Sequence, residues 1–297
     1  MDSKKIGVLA ILGAALMWAL EPIFAKLAYR TADFFQTFTI RTAVIAVIAV
    51  IYIIITNKSN FKVSKKQFPK LVYLAIIGTI IADLLYYFAF KSVAVVNAVL
   101  VGHLQPIFIV LIGFFILKED KLNKFDYVGI IVMIIAALLV TTKTIPNLIS
   151  LKFGTTGNFL VLLATIGWAT TTIVARKYLK GLNTGIITFY REFIALIFLV
   201  AYLIYSASLS ISNFYQILVG IIVGIGTILY YEGLNRIKAA QVSALELTSP
   251  FFAAFLGFAI LSEAVTFMQI LGILLLCLGV YLLSKKEEEI SKIARHS

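Results

Sequence analysis

Hydrophobic positions along this chain come in long runs separated by short polar connectors. A helix needs roughly 20 mostly apolar residues to cross a hydrocarbon core of about 30 Å. Ten runs of that kind can be placed, near residues 6–29, 34–56, 70–90, 94–117, 125–142, 156–176, 184–205, 212–234, 239–261 and 267–284. The pattern predicts an all-α polytopic membrane protein with ten transmembrane helices, and almost nothing remains for a soluble domain.

Composition strengthens that reading. Of the 297 residues 61% are hydrophobic and 13% charged, with a mean hydropathy of +1.02, whereas soluble domains average about 45–50% apolar residues. The formal net charge is +12, but the basic residues sit in connectors and not on a face interleaved with aromatics, which argues against a nucleic-acid partner. Lys4 and Lys5 precede the first run as they would in a signal peptide. That run is longer than a signal core of about 7–15 residues and carries Trp18 and Glu21, so it reads as a retained helix. The single cysteine, Cys277, lies inside the last run, so no disulfide framework or thiolate metal site is expected.

Charge also orients the chain. With ten spans the connectors alternate sides; one side then receives nineteen Lys and Arg, including Lys58, Lys62, Lys65, Lys66 and Lys70, and the other only Arg30, Lys91, Lys143 and Lys152. The positive-inside rule places both termini in the cytoplasm.

The chain repeats itself. "LQPIFIVLIGFFILKE" (104–119) and "TSPFFAAFLGFAILSE" (248–263) agree at seven of sixteen positions, pairing Pro106 with Pro250, Gly113 with Gly257 and Glu119 with Glu263 among others. "WALEPIFAK" (18–26) aligns with "WATTTIVAR" (168–176), Arg41 with Arg191, and Tyr86-Tyr87 with Tyr230-Tyr231. The division expected is residues 1–145 and 146–297, five spans each. An odd number of spans forces the second unit to enter the membrane upside down. The connector after the second span carries five lysines, while its counterpart after the seventh, "SASLSISNFYQ", carries no charge. The fold class expected is therefore two inverted five-helix repeats around a central cavity. Exchanging the conformations of two such halves turns a cavity open on one face into one open on the other.

These features together resemble the EamA family of the drug/metabolite transporter superfamily. The resemblance rests on the tandem five-span units, on Trp18 and Trp168, on Arg41 and Arg191, and on a proline, an apolar run, a Glu and a glycine-bearing span. That last pattern reads here as Pro106, Glu119 and "YVGIIVMIIAALLV", then as Pro250, Glu263 and "ILGILLLCLGVYLL". The resemblance implies a ten-helix permease of the cytoplasmic (inner) membrane, usually an exporter of amino acids or other small metabolites. It also implies a cavity lined by spans 1, 3, 4, 6, 8 and 9, and no prosthetic group.

Ionisable groups at mid-span cost about 2.5–3.5 kcal/mol each even on permissive insertion scales, so each needs a partner or a wet cavity. Glu21 shares a face with Trp18 and precedes Pro22, which is expected to kink the helix; it reads either as a cation or proton site or as a partner of Arg41. Asp83, with Tyr86, Tyr87 and Phe90 at helical spacing beyond it, can hold a cation beside an aromatic row or make a structural hydrogen bond. His103 and Glu246 fall one residue apart when the repeats are superposed and precede Pro106 and Pro250, so they form either a proton relay or separate polar contacts. Trp168 with Thr165, Thr171 and Thr172 makes an aromatic and hydroxyl stripe, although such threonines often bond their own carbonyls. Tyr230 and Tyr231 lie with Glu232 towards the end of the eighth span, where Glu232 can snorkel to water.

Arg41 and Arg191, repeated in both halves, are expected near opposite membrane faces as structural anchors. Glu119 and Glu263 are expected to cap the connections that follow them, and Gly220 and Gly224 to allow close helix packing. No phosphate-cradling, metal-ligating or nucleophile motif occurs, so neither an enzyme nor an ATP-driven pump is expected. The remaining reading is a secondary carrier of a small metabolite, a monomer or homodimer in the lipid bilayer, with proton coupling through Asp83 and Glu246 and with Glu21 next. Cationic drug efflux, metabolite uptake and a membrane-embedded scaffold stay open as alternatives.

Overall fold

The computed structural model describes residues 3–57, 60–117, 124–152, 154–179, 181–206, 210–237, 242 and 245–296. Among these residues every regular element is a helix, the arrangement that satisfies each backbone group where no water is at hand. The first two spans are α1 (Ser3–Ala28) and α2 (Phe34–Asn57). The third is a continuous rod of α3 (Phe68–Tyr73), a π-helical segment (Leu74–Asp83) and α4 (Leu84–Ala89). The fourth is split into α5 (Val95–Gly102) and α6 (Gln105–Ile112), the latter running into a π-helical turn (Gly113–Leu117). The fifth is α7 (Lys124–Thr142), followed by a short α8 (Ile145–Ile149). Then come α9 (Thr156–Tyr178), α10 (Thr184–Tyr205), α11 (Phe214–Arg236), α12 (Thr248–Leu261) and α13 (Phe267–His296). Eight spans are long and apolar enough to cross a membrane, and α12 and the Phe267–Leu282 part of α13 are shorter apolar helices. The molecule is a ten-helix membrane protein. Outward-facing residues such as Ile55, Phe115 and Phe255 are stable there because the surrounding solvent is hydrocarbon.

Three local features refine the sequence pattern. α1 is one continuous helix with Pro22 inside it. The fourth span does break, at His103 and Leu104, and restarts with Pro106 in the first turn of α6, where a missing N–H costs nothing. α12 starts the same way, with Pro250 in its first turn after a turn at Leu247. α13 continues to His296, well past the apolar stretch, because "KKEEEISKIAR" is rich in strong helix formers.

The closest helix packing runs between the halves, and it follows the repeat. α1 packs on α11 as α9 packs on the third span; α2 packs on α11 as α10 packs on the third span; α1 packs on α12 as α9 packs on α5 and α6. The self-related pairs α2–α10, α5–α12 and α7–α13 meet across the pseudo-twofold axis. Glycine makes one of these approaches possible. A Cβ at Gly220 would lie 2.6 Å from Val44 Cβ and 2.9 Å from the Arg41 carbonyl, and one at Gly224 would lie 2.7 Å from Ile48 Cδ1. The small pair therefore fits α11 against α2 as the spacing predicts, at the turn that carries Arg41.

Candidate functional site

A cavity of about 520 Å³ lies between the halves, within the range of small-ligand pockets. All nine side chains expected on a substrate or proton path line it: Trp18 and Glu21 from α1, Asp83 and Tyr86 from the third span, His103 after α5, Trp168 and Thr171 from α9, Tyr230 from α11, and Glu246 before α12. The cavity reaches Gly181 and Leu182 in the α9–α10 connection. Towards the other end it is sealed. Ile23, Leu27, Val95, Val99 and Ala253 pack together between α1, α5 and α12. Beyond them Lys26 Nζ bonds Glu263 Oε1 at 2.5 Å, and Glu263 Oε2 accepts from the Val95 N–H at 2.7 Å. Glu263 thus caps the start of α5 in the other half and not the connection after α12, because the two span ends meet at the axis. Glu119, its repeat counterpart, lies outside the described residues.

Five charged side chains meet in the cavity wall. Arg191 Nη2 donates to Asp83 Oδ2 at 2.7 Å, and Arg41 Nη1 lies 3.4 Å from the same oxygen. Trp168 Nε1 donates to Asp83 Oδ1 at 2.7 Å. Glu21 Oε1 accepts from the Tyr87 hydroxyl at 2.8 Å and lies 3.5 Å from Arg41 Nη2. Glu192, next to Arg191 in the chain, places Oε1 3.3 Å from Thr79 Oγ1 and 3.5 Å from Arg191 Nε, and Oε2 3.6 Å from Arg41 Nη1. Arg41 is further flanked by the rings of Tyr87 and Phe38, 5.0 and 5.3 Å from Cζ. Arg41 and Arg191 therefore do not sit near opposite faces. Both reach the same carboxylate at the centre of the protein, since long guanidinium side chains extend well away from the turns that bear them. Each is paired with an acid, Arg41 with Glu21 and Asp83 and Arg191 with Asp83.

The local fold makes this meeting possible. π-helical turns are rare and concentrate at functional sites, and here the wider turn brings Gly78, Thr79 and Asp83 to face α10. Thr79 Oγ1 accepts from Arg191 Nε at 2.9 Å. A Cβ at Gly78 would stand 3.3 Å from Arg191 Cζ, so glycine leaves the guanidinium its space.

Repeat symmetry shapes the rest. Trp18 packs on Tyr230 and Trp168 on Tyr86, with ring centroids 5.0 and 4.9 Å apart. Each half contributes a tryptophan to the other half's tyrosine. The acids break this symmetry: Glu21 corresponds to Thr171, Asp83 to Thr227, and Glu192 to Thr42 in the aligned repeats. Glu192 escapes a reading of span midpoints because it follows Arg191 in the early part of its span. The mismatch between "IRT" and "YRE" is the signal that marks it.

Both ring nitrogens of His103 lie against backbone carbonyls. Its Nε2 lies 3.2 Å from the Glu246 backbone carbonyl and its Nδ1 2.7 Å from that of Val99, so it ties α5 to the segment before α12 through main chain. Thr165 and Thr171 donate to the carbonyls of Val161 and Trp168, while Thr172 accepts from Gln105 Nε2 at 2.8 Å. Glu232 bonds Tyr52 and Arg236 away from the cavity, as its place near the span end suggests. Ser249 lines the cavity with a buried Oγ that makes no hydrogen bond among the described residues.

A profile of the EamA-like transporter family matches residues 5–142 and again residues 155–285. The chain belongs to this family. Two copies of the EamA-like unit account for the ten spans, and the molecule is a multi-pass membrane protein of a transporter family. It is similar to an uncharacterized transporter of Methanothermobacter thermautotrophicus, 27% identical over 241 residues, covering 76% of this chain and 67% of that one. A second, from Synechocystis sp., is 28% identical over 234 residues, covering 74% and 66%. The chain thus spans about two thirds of the length of those two relatives. An uncharacterized transporter of Archaeoglobus fulgidus is 25% identical over 278 residues and matches 93% of this chain and 97% of its own. One solved crystal structure superposes with a TM-score of 0.67 over 94% of this chain and 97% of the other at 15% identity, a likeness of fold alone.

Proposed function

We propose that the protein is an alternating-access secondary carrier of the cytoplasmic membrane that exports a small amine-bearing metabolite, an amino acid or a related amine, in exchange for protons. Both termini lie in the cytoplasm in this reading, and the two repeat units rock about the cavity between them. The observation that carries it is a count of charges. Among the described residues, one cluster in the wall of a cavity sealed at one end holds three carboxylates (Glu21, Asp83, Glu192) against two guanidiniums (Arg41, Arg191). A buried charge without a counter-charge is costly, and a proton or a cationic cargo group supplies the missing positive charge. If both use the same carboxylate, binding one expels the other, which is antiport. The aromatic walls from Trp18, Tyr86, Trp168 and Tyr230 suit the apolar remainder of such a cargo.

Ligands that stabilise the purified protein against heat, screened among amino acids and amines, identify cargo candidates. The protein is then reconstituted in liposomes containing a pH-sensitive dye. The expected result is cargo-dependent proton movement, with cargo accumulated by an imposed pH gradient. A ligand that binds and is never moved would overturn transport in favour of a binding role, and movement indifferent to the gradient would overturn the coupling.

A further inference from the structure

The three carboxylates of the cluster are held very differently. Asp83 has both oxygens in bonds of 2.7 Å, to Trp168 and Arg191. Glu21 accepts a bond of 2.8 Å from Tyr87. Glu192 has nothing closer than the 3.3 Å contact with Thr79. Its Oε2 accepts no hydrogen bond among the described residues and is 3.6 Å from the nearest cation, Arg41 Nη1. Yet Glu192 is only 3% exposed and lines the cavity. A buried acceptor that the protein leaves unfilled is a place for something the protein does not itself contribute. A proton on Asp83 must take an oxygen that already accepts a 2.7 Å bond, whereas a proton on Glu192 Oε2 displaces no hydrogen bond among the described residues.

The groups that face Glu192 come from four elements: Arg191 on its own helix, Arg41 on α2, Thr79 and Asp83 on the π-helical segment, and Tyr231 on α11. The two arginines are shared with Asp83 and, for Arg41, also with Glu21. Two positive charges are thus divided among three acids, and Glu192 receives only long contacts.

We infer that Glu192 is the carboxylate that the proton or the cationic group of the cargo neutralises, and that Asp83 is the fixed post holding both arginines. This rests on the proposed carrier reading and assigns its exchanging group to Glu192 in place of Asp83 or Glu246. The chemistry sought is a single positive charge, a proton or an organic ammonium, delivered through the cavity to Glu192 Oε2. Arg41 and Arg191 are positioning residues, since they act by setting how much counter-charge Glu192 lacks.

The chain offers its own reporter. Its two tryptophans, Trp18 and Trp168, both line the cavity, and Trp168 is bonded to Asp83. Intrinsic fluorescence of the full-length protein in detergent, titrated from mildly acidic to mildly alkaline pH, should show a saturable shift of emission. Glu192→Gln should flatten that shift, whereas Glu232→Gln, outside the cavity, should keep it. Butylammonium serves as the organic probe. If it competes with the proton, it displaces the titration in the parent towards lower pH and has no effect in Glu192→Gln. If it leaves the parent titration in place, the site takes the proton alone; either outcome supports the assignment. Should Glu192→Gln not fold, Glu192→Asp retains the charge but withdraws it by one methylene, and its titration should be displaced from the parent's. A parent insensitive to both pH and butylammonium, a Glu192→Gln protein that titrates like the parent, or a Glu192→Asp titration that coincides with the parent's overturns the assignment. These readouts need no flux, so a failure here is distinct from a failure of the liposome test.

Discussion

At the scale of single residues, Asp83 decides whether the two arginines can stay inside the membrane. Buried ion pairs contribute little net stability compared with apolar packing, but removing one partner strands the rest, at about 3–5 kcal/mol. Asp83→Ala leaves Arg191 without its 2.7 Å acceptor and Trp168 without its own. It should therefore lower unfolding stability in detergent by that amount, read from denaturant titration. Asp83→Asn keeps an oxygen for one of these donors and should lose visibly less. Equal losses would mean that the carboxylate charge, and not the acceptor geometry, holds the cluster. The residue-level signals in the sequence were uneven. Charges within apolar runs pointed to Glu21, Asp83, Arg41 and Arg191, since only a function or a partner keeps them there. Glu192 was hidden because its neighbour Arg191 looked architectural, and which charges touch is settled by helix rotation that no local pattern records.

Elements show how close packing and chemistry are joined. Because a Cβ on Gly220 would press on Val44 and on the Arg41 carbonyl, overpacking there must push α11 off α2 and move Arg41 with it. Gly220→Val should cost about 1–3 kcal/mol, measured as a fall in unfolding stability, and should also perturb tryptophan emission at the cavity. A stability loss with unchanged emission would separate the packing from the site. The sealed end offers a second test. Lys26 and Glu263 are each partly exposed, at 21% and 18% of their side chains, so their ion pair is screened and its coupling should be modest, about 0.2–1 kcal/mol in a double-mutant cycle. Glu263→Gln alone should cost more than Lys26→Ala, because it also weakens the cap on the Val95 N–H. The reverse order would show that the charge pair dominates.

For the whole molecule, the charge asymmetry and the cavity make a joint prediction about sidedness. With Cys277 replaced by serine, single cysteines in the connectors near Ser59 and Lys121 should resist an impermeant thiol reagent added to intact cells, while one near Ser210 should react. A cysteine at Thr172, on the cavity wall, should resist that reagent from outside and react in inside-out vesicles, because the sealed end lies towards Glu263. Labelling of the Thr172 site from outside would show that the cavity opens to the opposite face from the one the charge count implies.

The solvent, the number of spans, the internal repeat and, through the repeat, the family are legible in the order of residues alone. Each is written in the one-dimensional order of residue types: a run of about twenty apolar positions is needed wherever a helix crosses hydrocarbon, and a duplication survives as aligned prolines, tryptophans and arginines. The tertiary structure decided which of the intramembrane charges meet. It brought Arg41 and Arg191 to one carboxylate, turned His103 towards a backbone carbonyl of the segment before α12, and gave Glu263 to the start of α5. It also placed a π-helical segment opposite α10, which no spacing in "LAIIGTIIAD" announces. The physical reason is that these contacts depend on how far each helix is rotated and how closely it approaches its neighbours. Those quantities arise from the packing of all ten spans together, between halves far apart in the chain.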